Sequence, residues 1–114
     1  KLKIVIAHLG TSFFREQASC MAKAFPNVYS DLAGSGAWKG LSPRDVGFYM
    51  RDSMDPGNPR YLTKLVFGSD CYVKYPEIQT EAIQHYLKIL NENGLDRSAV
   101  DAVMGGTVSA WLGC

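Results

Sequence analysis

The chain has 114 residues, of which 46% are hydrophobic and 20% charged, a composition typical of one globular domain rather than a disordered segment. Its formal net charge of +1 gives no electrostatic reason to expect nucleic acid or an anionic membrane as a partner. Three widely spaced cysteines without a Cys-x-x-Cys pair argue against a disulfide framework or a zinc knuckle, and they favour a reducing, cytoplasmic setting. No stretch approaches the roughly 18 consecutive apolar residues of a membrane-spanning helix.

The amino-terminal part predicts a strand followed by a helix. Ile4-Val5-Ile6-Ala7 is a continuous apolar run, the pattern of a parallel strand buried on both faces. After the turn at residues 10–12, apolar side chains recur at helical spacing, and Pro26 ends the pattern. The residues of this predicted buried face are Phe14, Ala18, Met21, Ala22 and Phe25.

The middle of the chain repeats this alternation. A second strand is predicted at residues 28–32. Ser42 has the features of a helix N-cap, because Pro43 occupies the first helical position and Asp45 the third, as in a capping box. The helix is predicted to run to Met50 or slightly beyond.

The carboxyl-terminal part predicts one more strand and then helices only. The strand is the apolar run at residues 65–67, and a helix opens at Pro76 and closes before Gly94, in a position typical of left-handed C-caps. Asp96 can cap the following helix, and a last helical turn follows Thr107. This order of apolar strands and amphipathic helices predicts an α/β fold with parallel βα units.

In such folds polar groups collect where the strands end, because the strand ends and the following loops form a concave mouth. The first strand is followed by His8, the second contains Asp31, and the third leads into Asp70, so that one imidazole and two carboxylates could converge. Each residue also has a purely structural interpretation. His8 could bond a backbone carbonyl without catalytic duty, and Asp70 could stabilise a turn or cap a helix.

Three segments resemble the last part of the amidohydrolase-related barrel family, which includes metal-dependent hydrolases and aromatic-acid decarboxylases. They are Lys3-Ile4-Val5-Ile6-Ala7-His8-Leu9-Gly10, Asn27-Val28-Tyr29-Ser30-Asp31 and Lys64-Leu65-Val66-Phe67-Gly68-Ser69-Asp70. Residues 104–113 are similar to the closing helix of that family. The resemblance implies a TIM-type (β/α)8 barrel of which residues 1–114 form a single carboxyl-terminal fragment, with strands six to eight. His8 matches the sixth-strand histidine and Asp70 the eighth-strand aspartate.

The resemblance also implies a chemistry. One divalent ion, zinc or alternatively manganese, would activate water, with Asp70 as metal ligand and proton shuttle and His8 as the group that orients or deprotonates the water. The expected reaction is hydrolysis of a small-molecule ester, lactone or amide. The alternative within the family is non-oxidative decarboxylation of a small aromatic acid, with His8 protonating carbon. A third hypothesis is a non-catalytic, Rossmann-like module that binds an anion near His8 and the turn at residues 10–12.

Other family features lie outside the sequence. The histidine pair of the first strand and the ligand histidine of the fifth are not present, and Lys1 leads directly into strand sequence. We therefore expect the isolated chain to be inactive, to bind metal weakly, and to associate with itself or depend on a missing amino-terminal part.

For several other residues the sequence gives weaker indications of a role. Cys71 departs from the Tyr-Pro pair that follows the aspartate in the family, and we interpret it as an inert small hydrophobe. Thr107 stands where the family has an asparagine cap and could replace it. Arg15 and Arg51 could hold a substrate carboxylate, but their helix-end positions favour solvated faces, and a surface role is predicted for His85.

Overall fold

The computed structural model describes all residues 1–114 and forms a small α/β domain around a three-stranded parallel sheet. The strands are β1 (Ile4–Ile6), β2 (Val28–Asp31) and β3 (Leu65–Val66), and they lie in chain order across the sheet. In the register, Ser30 of β2 is paired with Ile6 on one side and Leu65 on the other. The predicted α/β class and the parallel sheet are confirmed.

The helices follow the predicted positions. They are α1 (Thr11–Ala24), α2 (Pro43–Met50), α3 (Glu77–Glu92), α4 (Arg97–Asp101) and α5 (Thr107–Leu112). Tight 3-10 turns occupy Ala7–Gly10 and Arg60–Lys64, and a wide π-helical turn at Ala102–Gly106 joins α4 to α5. None of the helices combines the length and apolar character required to cross a membrane.

The helix ends show the predicted local chemistry. Ser42 and Asp45 form a reciprocal capping box, in which Ser42 Oγ accepts from the Asp45 N–H at 3.1 Å and Asp45 Oδ2 accepts from the Ser42 N–H at 3.0 Å. Asp96 caps α4 by accepting from the Ala99 N–H at 2.9 Å. Gly94 adopts φ +80° just after α3, as a left-handed C-cap requires.

One predicted cap is wrong. Thr107 does not cap α5, because the backbone before it is already helical and Gly106 occupies the preceding position without a side-chain hydrogen bond. The wide turn Ala102–Gly106 is kinked at Gly105, whose backbone is not helical, and the helical conformation resumes at Gly106, so that Thr107 already lies inside the helix.

The predicted buried face of α1 is only half right. Ala18 and Ala22 are buried, but Phe14, Met21 and Phe25 keep 62%, 48% and 50% of their surface exposed. Two small residues of the predicted face therefore belong to the core, and its larger apolar side chains are about half exposed. Helical spacing identifies the apolar stripe, but not how far the neighbouring elements extend over it.

The core holds together through one buried polar group as well as apolar packing. Tyr86 of α3 is fully buried, and its hydroxyl accepts from the Leu32 N–H at 2.6 Å and the Gly68 N–H at 3.2 Å, while the Gly68 carbonyl lies within donor reach at 3.1 Å. Burial raises the pKa of Tyr86 far above its ordinary value, so the hydroxyl keeps its proton. The tyrosine thus joins the chain segments that follow β2 and β3.

We expect Tyr86→Phe to lower the free energy of unfolding by about 1–3 kcal/mol, because two backbone N–H groups would lose their buried acceptor. Urea unfolding followed by circular dichroism measures this, with the midpoint shifting at constant slope. Tyr72→Phe is the matched control, since Tyr72 is 71% exposed and its loss should change stability by less than about 0.5 kcal/mol. Equal effects of the two substitutions would contradict the role of the Tyr86 hydroxyl.

Candidate active site at the carboxyl ends of the strands

His8 lies in the tight turn that follows β1, with its ring held by the chain. Its Nδ1 lies 2.5 Å from the Ala33 carbonyl oxygen, and a carbonyl can only accept, so Nδ1 carries the hydrogen. In the neutral ring the proton-free nitrogen is therefore Nε2. The structural interpretation of His8 and the catalytic one are compatible, because the bond to Ala33 fixes the tautomer and leaves one nitrogen for chemistry.

Asp31, the last residue of β2, has a structural role. Its Oδ1 accepts from the His8 N–H at 2.7 Å and from the Ala33 N–H at 2.9 Å. One carboxylate oxygen thus fixes both the backbone that carries the His8 ring and the carbonyl-bearing residue that orients this ring. Asp31 is a positioning group for His8, and it does not line the cavity described below.

Asp70 is exposed and faces the same space as His8, with Gly34 between them. A Cβ at Gly34 would lie 3.2 Å from His8 Nδ1 and 3.5 Å from Asp70 Oδ2, and Gly34 has φ +83°. The loop after β2 therefore needs glycine at this point for both conformation and space. The structure brings His8 and Asp70 together, as the sequence predicts.

Left-handed backbone in residues other than glycine is concentrated here. Four non-glycine residues have positive φ: His8 at 58°, Leu9 at 47°, Thr11 at 59° and Asp70 at 53°. Such conformations cost on the order of 1–3 kcal/mol each and persist only where surrounding contacts enforce them. All four follow β1 or β3, so the local strain coincides with the strand ends that carry the imidazole and the carboxylate.

A cavity of about 380 Å³ opens between these strand ends. Ten residues line it: His8, Thr11, Ser12, Arg15, Ala33, Gly34, Ser35, Gly36, Ala37 and Asp70. Most of the lining is polar or small, and it contains no Phe, Tyr or Trp. Its charged or ionisable side chains are an imidazole, a carboxylate and a guanidinium.

The prediction that Arg15 lies on a solvated face is only partly right. Its Nη2 donates to the Gly36 carbonyl at 3.0 Å and its Nη1 lies 3.4 Å from the His8 carbonyl, so the side chain is partly buried at the cavity wall. The position of Arg15 near the start of a helix gave no sign of its bond to the loop at Gly36, which lies 21 residues away in sequence. Arg51, the other candidate, stacks on the Phe48 ring outside the cavity.

Two further candidates lie away from the imidazole and carboxylate pair. His85 is half-buried with its ring 5.2 Å from that of Trp38, so its predicted surface role is only partly right. Cys71 is also half-buried, and its Sγ lies 3.3 Å from Gln79 Oε1. Neither lines the cavity.

The side chains present do not make a complete metal site. No group of three His, Cys, Asp or Glu side chains is arranged to hold an ion. His8 and Asp70 are the two candidate donors that line the cavity, and Asp31 is not part of its lining. A catalytic zinc ion takes three protein ligands and a water molecule, so this chain does not fit the predicted ion by itself.

Comparison with known proteins adds no relative: no family model, no curated protein and no solved structure matches the chain.

We expect Gly34→Ala to displace the His8 ring and to destabilise the fold by about 1–2 kcal/mol, the typical cost of a left-handed residue with a Cβ. Imidazole ¹⁵N chemical shifts measure the tautomer of the His8 ring. The ring should change from one tautomer to a mixture of two when the bond to the Ala33 carbonyl is lost. Gly36→Ala is the control in the same loop, because a Cβ there meets nothing within 4 Å and φ is not positive. Unchanged shifts in Gly34→Ala would show that Gly34 does not hold this geometry.

Proposed function

We propose that this cavity is part of the active site of a hydrolase related to the amidohydrolases, with His8 and Asp70 as its acid–base pair. The observation that carries the proposal is the placement of an imidazole and a carboxylate, both on left-handed backbone, on either side of Gly34. Strain of this kind is tolerated most often where geometry serves function. The pair also agrees with the family resemblance of the surrounding segments.

The two residues would divide the proton chemistry. With Nδ1 bonded to the Ala33 carbonyl, the neutral His8 ring can accept a proton at Nε2 from an attacking water molecule. Asp70, exposed at the cavity wall, can take up that proton and deliver it to the leaving group. Asp31 would act through the His8 backbone by holding the turn in place.

Hydrolysis fits the cavity better than decarboxylation of an aromatic acid. The lining has two apolar residues, Ala33 and Ala37, and no Phe, Tyr or Trp ring that could stack on such a substrate. Hydroxyl groups of Thr11, Ser12 and Ser35 suit a small polar ester, lactone or amide. Decarboxylation remains the alternative reaction that the same experiment distinguishes.

Two features support the proposal that the sheet belongs to a larger TIM-type barrel. The strands follow one another in chain order, as they do in a barrel. The outer edge of β1 has no partner strand, and Leu2, Ile4 and Val5 beside it are 73%, 42% and 40% exposed. A further strand on this edge would cover them.

The divalent ion implied by the resemblance stays a prediction. With two donors in the chain, at least one additional ligand would have to come from outside residues 1–114. The acid–base roles proposed for His8 and Asp70 are supported by the position of both side chains in one cavity and do not require an ion.

In the natural protein that contains these residues, we expect Asp70→Asn and His8→Gln each to reduce kcat by about 100-fold or more, the usual size of a general acid or base contribution. The assay follows proton release from small esters and lactones, amine or ammonia release from small amides, and carbon dioxide release from hydroxybenzoates. Because the two residues would act on the same step, the double variant should be little worse than the weaker single variant.

Asp55→Asn is the control for Asp70→Asn, since Asp55 is an exposed loop carboxylate away from the cavity and its loss should leave kcat within about 2-fold. Full hydrolytic activity in Asp70→Asn would overturn the proposal. Release of carbon dioxide without ester or lactone turnover would assign the site to decarboxylation instead.

We expect the isolated 114-residue chain to self-associate and to bind zinc with a dissociation constant weaker than about 1 μM. Association follows from the unpaired edge of β1, which can pair with another strand, and weak binding follows from the shortage of ligands. Light scattering after size exclusion measures the first, and calorimetric titration with Zn²⁺ the second. A monodisperse monomer with tight, stoichiometric zinc would contradict both.

A further inference from the structure

The cavity contains a cation, Arg15, that forms no ion pair with an acidic side chain. The ion pairs of the chain are Lys39 with Glu81, Arg60 with Asp52, and Arg97 with Asp101, and Arg15 belongs to none of them. Its two hydrogen-bond partners are carbonyl oxygens, which orient the guanidinium without cancelling its charge. A guanidinium has five N–H donors, so several remain for a ligand.

The side chain is also held in place before any ligand arrives. Arg15 extends from α1 to two points on opposite parts of the cavity wall, the His8 carbonyl after β1 and the Gly36 carbonyl after β2. Fixing a long side chain in advance reduces the conformational entropy that binding must otherwise remove. A surface arginine without such contacts would lack this advantage.

We propose that Arg15 binds the carboxylate of a small aliphatic substrate and thereby selects anionic over neutral molecules. The planar guanidinium matches a carboxylate in a bidentate arrangement, which neither a hydroxyl nor a neutral amide provides to the same degree. The reacting group of such a substrate would then lie toward His8 and Asp70, which line the same cavity.

The charges of the cavity fit this assignment. Asp70 disfavours a second anionic group beside it, whereas Arg15 favours one at its own position. A substrate with one carboxylate and one neutral reacting group, such as an ester or a lactone, therefore has one preferred orientation. The identity of the reacting group rests on the proposed function, but the preference for a carboxylate does not.

The test uses glycolate and its neutral isostere glycolamide, which differ in charge and are small enough for a cavity of about 380 Å³. Titrations followed by ¹H–¹⁵N NMR give affinity and location together. Glycolate should bind about 10-fold or more tightly than glycolamide, and the shifts should map to residues 11–15 and 34–36.

Arg15→Gln should bring the two affinities to within about 2-fold of each other, and Arg15→Lys, which keeps the charge but not the planar fork, should give an intermediate ratio. Arg51→Gln is the matched control and should keep the original ratio, because Arg51 lies outside the cavity. If Arg15→Gln does not fold, Arg15→Lys still tests the proposal, since loss of the fork should lower the ratio.

Two results would overturn the inference: the same ratio in Arg15→Lys and Arg15→Gln as in the parent chain, or shifts that map to the separate cleft that includes Lys39 and Lys88. Asp70→Asn separates this inference from the proposed function. It should abolish turnover but bind glycolate at least as tightly as the parent. Glycolate selectivity with no turnover in the natural protein that contains these residues would reject the hydrolase and keep the carboxylate site. Turnover in that protein with no effect of Arg15 would do the reverse.

Discussion

The hydroxyl of Tyr86 is the contact on which the arrangement of the site depends. It reaches the sheet from α3 and bonds the backbone directly after β2 and β3, at Leu32 and Gly68. The loops that begin at these points carry Gly34 and Asp70, so one buried oxygen sets the spacing between them. Because burial keeps the hydroxyl protonated, this bridge does not respond to changes of pH in the physiological range.

A second set of contacts holds the loops after β2 and β3, and the turn after β1, in position. The indole Nε1 of buried Trp38 donates to the Ser69 carbonyl at 3.1 Å, and the Gly34 N–H donates to the same oxygen at 3.3 Å. Asp31 holds the His8 turn from the other side. Together these bonds stabilise the left-handed backbone at His8 and Asp70, because a strained conformation persists only when several contacts enforce it.

Local patterns were enough to predict the order of elements, the capping box at Ser42, the cap at Asp96 and the left-handed Gly94, because each depends on a few neighbouring residues. The proximity of His8 and Asp70 followed from the general rule that parallel strands end at one edge. The roles of Tyr86, Asp31 and Arg15 did not follow, since their partners lie far away in sequence. The exposure of Phe14, Met21 and Phe25 in α1 does not follow from the sequence for the same reason, because it depends on which distant elements pack against the helix.

The very short β3 strand has a consequence for the carboxyl-terminal segment. Only Leu65 and Val66 pair with β2, and the next backbone group, the Phe67 N–H, bonds instead to the Val103 carbonyl at 2.9 Å. The wide turn that contains Val103 therefore helps to hold the segment leading to Asp70 in place. A fusion partner or a deletion that unwinds this turn would therefore change the geometry of the candidate site without altering any residue that lines it.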